Sequence, residues 1–176
     1  MAIAPMTEST QCLTFGLDKE VFAIDIARVR EVLEYTTLTK VPRMPDYVRG
    51  VINLRGSVVP VFDLRLKFGL PMIEKTISTC IIITEVNVGE NSAILGAMVD
   101  SVQEVLEIGA DKIEPAPHVG THIRIDFIKG MGKHKDNFII ILNTDNVFSE
   151  DELTVEQDTT RILHRVPQIR RRNAGD

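Results

Sequence analysis

The chain has 176 residues, of which 44% are hydrophobic and 26% charged, and its formal charge is -5. That length suits one domain, or one built from two small lobes, and the balance is that of a soluble globular protein able to bury a core. A net negative field argues against binding a phosphate backbone, so nucleic acid is not an expected partner.

The N-terminus, MAIAPMTESTQ, has no basic segment leading into an apolar one, and the longest purely apolar runs, such as 138–142, are too short to span a bilayer. A cytoplasmic location without direct membrane insertion is therefore expected. Short β-branched stretches predict strands over 12–17 and 21–26. Val29, Val32 and Leu33 stand at helical spacing and predict a helix over 26–34. Strands over 48–53 and 58–62 follow, and Asp63 offers its side chain as the cap of a short helical turn. Further strands are predicted over 80–86, 93–99, 102–108, 127–131 and 138–142, after which Asn143 repeats the capping position. Both cysteines, Cys12 and Cys80, fall inside strand segments. This points to a reducing compartment and to two small core residues rather than a disulfide framework.

An internal repeat organises these elements. The segment YVRGVINLRGSVVPVFDLRLKF, residues 47–68, aligns without a gap over FIKGMGKHKDNFIIILNTDNVF, residues 127–148. Upstream, EVLE occurs at 31–34 and again at 104–107, each soon after an aspartate, Asp25 or Asp100. Both copies lead on to lysine, a β-branched residue and prolines. The halves run over about 10–68 and 78–148.

Five short strands in about 60 residues do not make a stable open sheet, so each half is expected to close into a small barrel and the two to pack together. The all-apolar FIIIL at 138–142 suits a strand covered on both faces. Its counterpart, VVPVF, carries Pro60, which cannot donate to a ladder and is expected at an edge or bulge. Gly56 supplies a tight turn that holds Arg55 out on a hairpin. An exposed arginine beside a strand edge is either a solvated loop residue or part of a docking surface.

Chemical motifs are scarce. His118 and His122 stand four apart, but the neighbouring PAP and VG disfavour a helix, and no third ligand has a recognisable spacing, so no metal site is expected. There is no phosphate-cradling glycine loop, nucleophile elbow or Cys-x-x-Cys pair. Glu31, Glu34, Glu104 and Glu107 read as solvated faces of two equivalent elements. The sequence points to a binding module with no catalytic residue and no cofactor. At the chain end, 149–176, acidic residues precede Arg161, Arg165, Arg170, Arg171 and Arg172, which reads as a C-terminal helix or flexible charged tail.

The segments FAIDIARVREVLE, VPRMPDYVRGVINLRGSVVPVFDLRLKFG, MVDSVQEVLEI, IEPAP and FIKGMGKHKDNFIIILNTDNVF together resemble the bacterial chemotaxis coupling protein family, CheW. The resemblance covers 11–148 and is most specific in GVINLRGSVVPVFDLR. It implies a mainly β fold of two intertwined five-stranded SH3-like barrels around a shared apolar core, with a few short helices, forming a CheW-like domain over 10–148. It also implies a non-catalytic adaptor that couples transmembrane chemoreceptors to the histidine kinase CheA, cytoplasmic but recruited to membrane-associated receptor arrays. Its partners would be the CheA regulatory domain and the cytoplasmic tip of the receptors. By the same resemblance, the tip would lie in an apolar groove between barrels, at positions matching Val29, Glu31, Val32 and Val105, with Arg55 matching the arginine of the NLRG motif. The kinase would meet the first barrel near Leu38, Val41, Arg49, Gly50 and Cys80. The module also occurs in the kinase and fused to a receiver domain. Neither an ATP-binding region nor a receiver is found in this sequence, so a stand-alone adaptor is expected. The residues alone leave open a generic peptide- or ligand-binding double barrel.

Overall fold

The computed structural model describes residues 9–116 and 123–148. β1 (Thr10–Leu17) and β2 (Glu20–Asp25) form a hairpin, and a 3-10 turn, Ile26–Arg28, leads into β3 (Val29–Glu34). A loop precedes a second hairpin, β4 (Val48–Leu54) and β5 (Ser57–Asp63), which ends in the short helix α1 (Leu64–Lys67). The second half repeats the order with β6 (Cys80–Val88), β7 (Asn91–Val99), β8 (Ser101–Ile108), β9 (Ile113–Glu114), β10 (Ile128–His134), β11 (Asn137–Leu142) and α2 (Thr144–Val147).

Two sheets result, ordered β8-β1-β2-β11-β10-β9 and β3-β6-β7-β5-β4. Each draws strands from both sequence halves, as the implied intertwined barrels require, which corrects the simpler expectation that each half closes on itself. β1 and β2 pair with β8 and β11, while β6 and β7 pair with β3 and β5. The halves have exchanged their first hairpins. Repeat symmetry survives the exchange, because the parallel contacts β2 with β11 and β5 with β7 join equivalent strands.

Both sheets curl closed. Beyond β3 the chain reaches across to β4, where Thr39 and Val51 exchange backbone hydrogen bonds of 2.9 and 2.8 Å. Beyond β8, β9 pairs with β10, placing Glu114 opposite Met131. These closing segments account for two glycines at matching repeat positions. A Cβ on Gly50 would lie 2.6 Å from the Thr39 carbonyl oxygen, and one on Gly130 would lie 2.7 Å from Ile113 Cγ2.

Strand alternation fills three cores. One barrel interior holds Ile52, Val59, Val61, Ile81, Ile83 and Met98, and the other holds Cys12, Ala23, Ile108, Ile139 and Ile141. Opposite faces of the same strands meet between the sheets, where Phe15, Phe22, Phe62, Phe68, Phe127 and Phe148 share one cluster. Phe68 and Phe148, which end the two repeats, pack on Phe22 at 5.6 Å and on Phe62 at 5.2 Å between ring centroids. Each such side chain contributes about 1.5–3 kcal/mol by leaving water. The run FIIIL is covered on both faces as expected, except for Phe138, which is exposed.

Two further expectations need correction. The helix over 26–34 is a 3-10 turn, capped by the Asp25 side chain accepting from Ala27 N at 2.9 Å, followed by strand β3. Pro60 is on an inner strand rather than an edge. Its partner Val51 turns both backbone groups to Thr39, so the Pro60 nitrogen faces away from β4, and the parallel ladder with β7 begins at Val61. Pro60 sits one residue short of the ladder that its missing N–H would have joined.

Candidate partner-binding surface

β3 carries three of the residues singled out for a receptor. It lies at the end of its sheet and pairs along one edge, with β6. Val29 is half-buried against the shared core, whereas Val32 points outward and is 40% exposed. Glu31 is half-buried and is gripped by Arg55 through both terminal guanidinium nitrogens, the Nη2 contact being 3.1 Å. The hydrogen bonds and charge of Arg55 hold the Glu31 carboxyl below the ordinary glutamate range. Glu31 is therefore no freely solvated face residue, contrary to the sequence expectation.

Arg55 reaches Glu31 because of local backbone geometry. Arg55 and Gly56 form the tip between β4 and β5, with φ of 52° and 87°, and Gly56 N donates to Asn53 Oδ1 at 2.8 Å. Positive φ at both central residues matches a hairpin turn whose twist suits its strands. Val105 is on β8 in the other sheet, opposite Leu13. It is the repeat counterpart of Val32 and, at 51%, it is likewise exposed. Thr14, fully buried beneath it, ties the two strands by bonding the backbone of Glu104 at 2.8 and 3.1 Å.

The residues singled out for a kinase separate into smaller groups. Leu38 packs against the first barrel interior and touches the space above Gly50, whereas Val41 is half-buried farther along the same loop. Arg49 faces a different way, donating to the buried Asp63 at 2.8 Å beside a cleft of about 520 Å³ that Arg65, Met72, Ile73 and Asp100 also line. Cys80 begins β6 opposite Glu34 and is half-buried, while Cys12 is fully buried. Burial, reinforced by the Asp25 carboxylate, pushes the Cys12 thiol up to about 11.

Sequence reasoning missed the ion pairs that join the barrels. Arg65 on α1 is buried and donates to Asp100 at 2.6 Å and to the Pro71 carbonyl at 2.8 Å. Arg28 donates to Asp145 on α2 at 2.9 Å. Asp63 and Asn143 cap their helices as expected, accepting from Arg65 N and Asn146 N. Asp100, one of the two repeated aspartates, was the visible signal, but its partner depends on the exchanged hairpins, and Asp25 caps the 3-10 turn instead. Lys133 of the GKHKD hairpin pairs with Glu114 at 3.4 Å. Among the described residues, no group of three or more His, Cys, Asp or Glu could hold a metal, and no helix is long and apolar enough to cross a membrane. His118, His122 and the tail over 149–176 lie outside the described residues.

The family model of the CheW-like domain matches residues 11–152. The chain belongs to the CheW family. The chemotaxis protein CheW of Klebsiella aerogenes is 30% identical over 159 residues, covering 90% of this chain and 93% of that relative. The chemotaxis protein CheW of Helicobacter pylori is 33% identical over 144 residues, covering 82% and 84%. The crystal structure of the scaffolding protein TtCheW from Thermoanaerobacter tengcongensis matches with a TM-score of 0.72 at 37% identity, over 80% of this chain and 93% of that one. The exchanged double barrel is a CheW fold, and both sheets, apart from Thr10, fall within the matched span.

Proposed function

We propose that this chain is a non-catalytic chemotaxis adaptor that couples transmembrane chemoreceptors to the histidine kinase CheA, acting in the cytoplasm at membrane-associated arrays. The observation that carries the reading is the paired exposure of Val32 and Val105, the apolar residue of EVLE turned outward at matching positions of both halves. An amphipathic receptor helix presents apolar side chains that suit such a wall, and the Glu31–Arg55 pair gives that wall a polar rim. Val29, Glu31, Val32, Arg55 and Val105 are assigned to the receptor tip. Leu38, Val41, Arg49, Gly50 and Cys80 are assigned to the kinase regulatory domain, with 10–148 acting as one unit. Interfaces of about 800 Å² per partner or less suffice, because an array makes weak contacts multivalent.

The test is a pull-down of the purified chain with the kinase regulatory domain and, separately, with a receptor tip fragment. Val32→Arg is the informative variant, because Val32 is exposed whereas Val29 also supports the core. Burying an unpaired charge in the groove outweighs a weak interface, so receptor capture is lost while kinase capture persists. Binding of neither partner by the unaltered chain overturns the adaptor reading.

A further inference from the structure

We propose that Arg28 and Asp145 form a positioning latch that fixes β3 against the opposite barrel and thereby sets one wall of the receptor groove. The proposal rests on the receptor-coupling reading above.

The chain crosses between its sheets twice, after β2 and after β7. At each crossing, a charged residue just ahead of the outgoing strand pairs with the short helix that ends the other barrel. Arg28 immediately precedes β3 and donates through Nη2 to Asp145 Oδ2 at 2.9 Å, Asp145 belonging to the helix after β11. Asp100 immediately precedes β8 and accepts from Arg65 Nη1 at 2.6 Å, Arg65 belonging to the helix after β5. Arg65 and Asp145 occupy the same place in the repeat, two residues after the caps Asp63 and Asn143, so the two latches are equivalent with their charges reversed. Each helix residue also holds the exchanged hairpin. Asp145 Oδ1 accepts from Asn87 N at 2.9 Å, and Arg65 Nη2 reaches Asp18 Oδ1 at 3.5 Å.

The two latches differ in burial and in sequence. The Arg65 side chain is 6% exposed, whereas Arg28 and Asp145 are 29% and 33% exposed. A half-buried pair is partly screened and contributes less to global stability than a buried one, so the Arg65 latch belongs to the fold and the Arg28 latch has more freedom to tune geometry. Arg28 also falls where the first repeat is longer. Six positions separate Asp25 from Glu31, against four from Asp100 to Glu104. The added 3-10 turn places the guanidinium directly before Val29, the first groove residue. A partner lying on Val29 and Val32 responds to the latch through the position of β3 and needs no contact with Asp145.

The experiment measures affinity for a receptor tip fragment and for the kinase regulatory domain, separately and by calorimetry. The samples are the unaltered chain, Arg28→Gln, Asp145→Asn and the double variant, with thermal unfolding of each. Each single substitution is expected to weaken receptor binding about fivefold, the double no more than either, and kinase affinity to change less than about twofold. Receptor affinity unchanged in Asp145→Asn, or losses that multiply in the double variant, would mean that Arg28 touches the partner directly, and the latch is overturned. It is equally overturned if both affinities and the melting temperature fall together. Failure of the unaltered chain to bind the receptor fragment refutes the coupling reading first, and the latch with it.

Discussion

Glu31 and Arg55 meet at the end of a hairpin where the chain spends two left-handed residues to aim a guanidinium. The consequence is electrostatic and directional. Arg55 lowers the folded-state pKa of Glu31 relative to the unfolded chain, so the stabilisation is fully present above the ordinary glutamate range and fades as pH falls through the lower folded value. At neutral pH the pair is therefore intact. Carboxyl-detected NMR titration should place the Glu31 midpoint below that of a free glutamate, and Arg55→Ala should return it upward. Because Arg55 is largely exposed, the same substitution should scarcely move the melting temperature. A Glu31 midpoint unaffected by Arg55→Ala would show that the pair does not persist in solution.

At the scale of elements, nine strands and both helix caps are legible in the sequence because their apolar residues and capping side chains obey ordinary periodicities. β3 is not, for a physical reason. Its half-buried position 31 holds a glutamate and its exposed position 32 a valine, so the strand period is scrambled and Val29, Val32 and Leu33 imitate a helix. The register shift between Val29 and Glu31 adds to the disguise. The misread element is the one carrying the candidate surface, and it is half-buried only at alternate positions. β9, two residues long, is too short to leave any period. The closing segments were equally silent, yet they dictate Gly50. Gly50→Ala should destabilise the protein by about 2–3 kcal/mol in urea denaturation, since Cβ would collide with the Thr39 carbonyl and the backbone is strained. Gly56→Ala, also at positive φ but with open space around it, should lose only about 1–2 kcal/mol. Equal losses would mean that the barrel closure tolerates displacement and that only backbone conformation matters.

For the whole molecule, the repeat was legible in the residues and the intertwining only through the family resemblance, because alignment orders segments without saying which strands pair. Two self-closed barrels and two exchanged ones share the same repeat. The structure separates them by the parallel contacts β2 with β11 and β5 with β7, each joining one half to the other. Neither half can then bury its own surface. Residues 1–77 contain β1 and β2 without β8 and β11, and β3 to β5 without β6 and β7, so most of their edges and one face of every sheet lie bare. Such a fragment lacks the core needed to offset its chain entropy. The connection over 71–78, by contrast, is exposed throughout, so interrupting it removes little packing. Expressed alone, 1–77 and 78–176 should each show no cooperative thermal transition. Expressed together, they should co-purify one to one and regain the near-UV signature and cooperative melting of the uncut chain. A first-half fragment that melts cooperatively by itself would show that the half can close its own barrel, and that the exchanged hairpins are one arrangement of the chain rather than the one its cores require.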